Sequence, residues 1–75
     1  MTTEDLSTGW MVEVTTPLDL KRYFIVAEPD SDKAVELAKK KIPVHLGETV
    51  KLGGAVAKNE LIGQGMRLGD VKQHV

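Results

Sequence analysis

Between Arg22 and Ile42 the chain reads Arg-Tyr-Phe-Ile-Val-Ala, then Glu-Pro-Asp-Ser-Asp, then Lys-Ala-Val-Glu-Leu-Ala-Lys-Lys-Lys-Ile, and this stretch leaves few folds open. Its first part is rich in aromatic and β-branched residues and predicts a strand from about Lys21 to Ala27. Arg22, Phe24 and Val26 alternate with Tyr23, Ile25 and Ala27, so both faces carry apolar residues, as in a strand covered on each side. Tyr23 and Phe24 point to opposite faces and cannot form one stacking surface. Pro29 ends the strand. Asp30 stands where an N-cap belongs, with a carboxylate able to accept from free N–H groups of a first helical turn. Asp32 lies at the positive end of the helix dipole and Lys39, Lys40 and Lys41 at its negative end. Ala34, Val35, Ala38 and Ile42, with Leu37 beside them, recur at helical spacing, and Glu36 is four residues from Lys40. Pro43 marks the exit. The main helix is therefore expected over about residues 30–42.

The flanking segments supply strands. Trp10, Val12 and Val14 share one face of an alternating run whose other face carries Met11, Glu13 and Thr15. Thr16-Pro17-Leu18-Asp19 breaks that run, and the two strands should pair as a hairpin. Thr49 to Ala57 resumes a strand pattern with Val50, Leu52 and Val56 expected on one side, and Gly53-Gly54 marks a bulge or bend within it. Asn59, a capping residue type, opens one helical turn ended by Gly63 or Gly65. Val71, Gln73 and Val75 suit a short closing strand. The expected fold is α+β: a small antiparallel sheet of three or four strands in the order ββαβ, short helical turn, β, with one helix packed against either Phe24 and Val26 or Tyr23 and Ile25. Residues 1–9 read as a flexible tail and 10–75 as a single domain.

The chain has 75 residues and no cysteine, which excludes a disulfide framework and thiolate metal sites. Its first nine residues carry two acids and no apolar core, unlike a signal or transit segment, and no apolar run approaches the roughly 18 residues of a membrane span. These features predict a soluble cytoplasmic domain with no membrane partner. Charge is unevenly spread: residues 1–32 hold seven acids and two bases, residues 33–75 four acids and eight bases. The basic half offers candidate phosphate contacts at Lys39, Lys40, Lys41, Lys51, Lys58 and Arg67, through which a nucleic-acid backbone would be held without sequence reading. Three aromatics, two of them core candidates, provide no stacking platform for single strands.

The remaining motifs carry little chemistry. Gly63-Gln-Gly65-Met-Arg-Leu-Gly69 is one residue too long for a dinucleotide fingerprint, although a small molecule near 63–69 stays open as an alternative. Gly53-Gly54-Ala-Val-Ala-Lys58 lacks P-loop spacing. His45 and His74 have no neighbouring nucleophile in a recognisable pattern, and Glu28, Asp30 and Asp32 are accounted for by helix capping and dipole charge. No catalytic residue, metal ligand or cofactor is assigned. A single helix covers one side of a sheet, so the other apolar side of the central strand should meet a protein partner or a second copy of the chain, with Tyr23 and Ile25 as interface candidates. The sequence thus predicts a non-enzymatic protein-interaction or accessory domain, with nucleic-acid binding as the runner-up.

Overall fold

The β1–β2 hairpin is the centre of the structure, a computed structural model that describes residues 8–74. Strand β1 runs Thr8–Thr15 and β2 runs Lys21–Val26, paired antiparallel with Val12 opposite Phe24 and Val14 opposite Arg22. Asp19 closes the turn with φ of 64°, a left-handed conformation that aspartate tolerates better than most residues. Its N–H donates to the Thr16 carbonyl at 2.9 Å, and the Leu20 N–H donates to Thr16 Oγ1 at 3.1 Å. The register places Trp10, Val12, Val14, Phe24 and Val26 on one face.

Helix α1, Ser31–Lys41, covers that face. Asp30 Oδ1 accepts from the N–H groups of Asp32 at 2.9 Å and Lys33 at 3.3 Å, which fixes where the helix starts. Ala34, Ala38 and Ile42 are buried against Val12, Val14, Phe24 and Val26, so the sheet side occupied by the helix is that of Phe24 and Val26. The small alanines let the helix axis approach the strands closely. Trp10 Nε1 donates to the Pro29 carbonyl at 3.0 Å, tying the strand-to-helix turn back to β1. Glu36 and Lys40 border a common surface depression, yet the ion pairs among the described residues are Lys21 with Glu13 and Arg22 with Glu48.

Strand β3, Thr49–Ala57, pairs with the far side of β1, and β4, Val71–His74, with the far side of β2, giving an antiparallel sheet in the order β3-β1-β2-β4. Opposite Met11 the register of β3 shifts: Val12 faces Leu52, whereas Trp10 faces Ala55. The extra residue at Gly53-Gly54 inverts the alternation, because one inserted residue moves every following side chain to the other face. Val56 therefore lies on the face opposite Val50, not beside it as the sequence pattern suggested. The expected bulge is real, and its effect on parity corrects that grouping.

The second face is built by a short helix α2, Lys58–Gly63, and the loop after it. Leu61 and Met66 pack with Ile25, Ala27 and Val56. Ala57 rather than Asn59 occupies the N-cap position, and no side chain caps the helix. The Gly69 N–H donates to the Ala27 carbonyl and the Ala27 N–H to the Asp70 carbonyl, both at 2.8 Å, so the loop is docked on the end of β2 before β4 begins. Thr8 and Gly9 belong to β1, which shortens the expected tail; residues 1–7 of that tail, and Val75 of the expected closing strand, lie outside the described residues. The architecture is the expected α+β fold, and the expected short helical turn is α2. Among the described residues, no helix is long and apolar enough to cross a membrane.

Candidate interaction surface

The second sheet face is only partly covered. At one end it is closed by α2; beyond α2 a groove of about 490 Å³ crosses the sheet, lined by Met11, Ile25, the Gly54–Ala57 segment, Glu60 and His74. Its floor is apolar and adaptable, with a methionine thioether among its walls. Glu60 and His74 place a carboxyl and an imidazole on its border. Tyr23, directly across the β2–β4 pair from His74, is 40% exposed. Ile25 is only 2% exposed, because the Leu61 and Met66 packing covers it; of the two interface candidates named from sequence, only Tyr23 offers a free side chain, and Ile25 contributes a wall of the groove.

Past the groove the same face becomes polar. Thr15 Oγ1 donates to Glu13 Oε2 at 2.9 Å, and Lys21 Nζ lies 3.4 Å from the same oxygen. The Thr15 hydroxyl is the largest influence holding the Glu13 carboxyl below its ordinary value of 4.5; burial, next in size, opposes it, and the Lys21 ammonium and cross-strand Lys51 add to the lowering. A carboxyl depressed in this way favours the folded state above its unfolded pKa and loses that contribution as pH falls through the folded value. Carboxyl-resolved NMR titration is expected to give a Glu13 midpoint below 4.5 that rises more in Thr15→Val than in Lys21→Gln, since the hydroxyl bond is the largest cause. The reverse order would assign the depression to the ion pair.

The candidate phosphate contacts do not share one surface. Lys39, Lys40 and Lys41 end α1 on the first face, whereas Lys51 stands opposite Glu13 on the second. Lys58 opens α2, Arg67 lies in the following loop, and Lys41 Nζ donates to the Gly69 carbonyl at 3.0 Å. A duplex backbone contacting α1 would leave Lys51 behind the sheet. In segment 63–69, Met66 is buried and Gly69 is bonded to β2, so these residues serve the turn that returns the chain to the sheet. Among the described residues, no group of three or more His, Asp or Glu side chains converges as a metal site. A second, smaller depression of about 270 Å³ lies beside α1, bordered by Glu28, Lys33, Glu36, Leu37 and Lys40.

One feature escaped the sequence pattern altogether. At the end of the sheet away from α2, Leu18, Leu20, Val44 and Leu46 are exposed on two neighbouring loops, with Leu18 82% exposed and Leu46 fully so. Apolar residues inside turn segments rich in proline and glycine were the available signal, and strand and helix periodicity pass over them. These loops are held in place. Glu48 Oε1 accepts from Arg22 Nη2 at 3.1 Å and from the His45 N–H at 2.8 Å, while the Arg22 guanidinium sits 5.7 Å from the Phe24 ring centroid. Gly47 adopts φ of 88°, and a Cβ there would come within 2.9 Å of Pro17, so the two loops abut only with glycine at this position.

No protein-family model, curated relative or solved structure matches this chain. Its functional reading therefore rests on the surfaces described above.

Proposed function

We propose that this chain is a non-catalytic interaction module of the cytoplasm that holds a segment of a protein partner against the second face of its sheet. The supporting observation is the half-covered state of that face: α2 closes one end, and a groove with an apolar floor remains beside the exposed Tyr23 ring. Tyrosine contributes a large contact area and a polar tip, a combination favoured in interface centres. Glu60 and His74 would orient the bound segment by hydrogen bonding, while Met11 adapts to its side chains. A second copy of the chain is one form the partner can take.

A photo-crosslinking amino acid placed at Tyr23 tests this reading, with the same residue at Asp32 on exposed α1 as the control. A discrete covalent adduct in native lysate at position 23, absent at position 32, is the expected result, and its mass distinguishes a partner from a dimer. Equal labelling at both positions, or none at either, would overturn the assignment of this face.

A further inference from the structure

We propose that segment 58–66, helix α2 and the three residues after it, is a hinged lid over the closed end of the groove; it opens so that an apolar side chain of the bound segment takes the place of Leu61. The proposal rests on the groove being the binding site. The lid is one mechanical piece. Gln64, Gly65 and Met66 donate their N–H groups to the carbonyls of Glu60, Ile62 and Leu61 at 3.0, 2.9 and 3.0 Å, and Gly65 takes φ of 71°, a glycine-terminated helix end that ties the last turn to the residues following it. Leu61 and Met66 thereby press together on the second face, against Ile25, Ala27 and Val56. Leu61 also rests on Gly9, where an added Cβ would lie 3.0 and 3.2 Å from its two methyl groups.

Apolar contact holds this lid shut. Among the described residues, no hydrogen bond or ion pair joins 58–66 to β1, β2 or β4. The chain on either side is pinned instead: Ala57 pairs with Thr8 in the sheet, and the turn at 67–70 is bonded to the end of β2 through Gly69, Asp70 and Ala27, with the Arg67 N–H donating to Asp70 Oδ2 at 2.8 Å. A segment fixed at both ends and held between them by two apolar side chains opens as a unit without parting the sheet. Helix α1 lacks this freedom, since Asp30 caps its start and Lys41 Nζ donates to the Gly69 carbonyl. Once detached, the six residues of α2 do not hold a helix, and Gly63 weakens it further. Opening uncovers Gly9 and Ala27 and extends a floor that already includes Ile25 and Val56.

Native-state amide exchange, with titration by the apolar dye anilinonaphthalene sulfonate, tests the lid in the intact chain and in Gly63→Ala, a change within α2 whose Cβ would meet nothing within 4 Å. The Gln64, Gly65 and Met66 amides of the native chain should exchange roughly tenfold or more faster, relative to their intrinsic rates, than the slowest amides of β1 and β2. Alanine favours a helix over glycine by about fivefold, so the open population of Gly63→Ala should fall by that factor. The dye, which binds the surface the lid uncovers, should then show an apparent Kd about fivefold higher. Equal protection at 64–66 and in the central strands would mean that α2 opens only with the whole molecule, and would overturn the proposal. Equal dye affinity of the two forms, or no dye binding by either, would overturn it as well. The reading of the groove as a protein site fails separately, through absence of the adduct at position 23, and neither measurement uses that crosslink.

Discussion

Replacing Gly9 with alanine is expected to cost about 3 kcal/mol or more in folding free energy, at the upper end of the range for overpacking. A Cβ at this position would come within 2.5 Å of the Val26 carbonyl oxygen and 3.0 Å of a Leu61 methyl. The leucine can turn aside; the carbonyl belongs to the neighbouring strand and cannot move without parting β1 from β2. With a total of about 4–11 kcal/mol expected for a chain of this length, the loss would be a large share of what holds the protein folded. Urea denaturation followed by Trp10 fluorescence measures it. A change below about 0.5 kcal/mol, the usual limit for surface substitutions, would show that the hairpin yields at this point.

Leu61→Ala should destabilise the chain by about 2–5 kcal/mol, the range for truncating a buried leucine. Leu61 is 0% exposed and is one of the largest fully buried side chains. Its loss should act beyond its own cavity, because six-residue α2 has no side-chain cap and is far shorter than a helix that stands alone. Amide exchange is therefore expected to accelerate throughout 58–66 while α1 stays protected. Uniform acceleration in both helices would mean that α2 unfolds only with the whole molecule. Combining the change with Gly9→Ala relieves the methyl contact but leaves the carbonyl contact, so the double variant should remain less stable than either single one.

These two residues also show where sequence reasoning stops. The segment 21–42 was legible in detail because each local signal agreed with its neighbours: alternation ended at Pro29, Asp30 capped the helix, and the charges matched the dipole. The side covered by α1 and the cover over Ile25 depended on contacts distant in sequence. A glycine next to a polar segment looks like part of a tail until Leu61 is known to rest on it, and nothing local announces that encounter. The groove was foreseen only as a bare face, since its closure at one end comes from a six-residue helix with weak local signals. The bulge at Gly53-Gly54 was visible, while its consequence for Val56 required the register with β1. The exposed leucines of the loops lay between the periodic segments, where hydrophobic patterning gives no instruction.

The bulge also bears on how these molecules behave when crowded together. A sheet closed by no barrel has two borders, here β3 and β4, at which a foreign strand could add and begin an unlimited stack. Along β3 the run of unpaired backbone groups is broken at Gly53-Gly54 and carries Lys51 before the break; β4 is four residues long and carries Lys72. Neither border offers the long, flat, uncharged template that fibril growth requires. The same extra residue that turns Val56 toward Leu61 thus helps keep one copy of the protein from becoming the seed for the next.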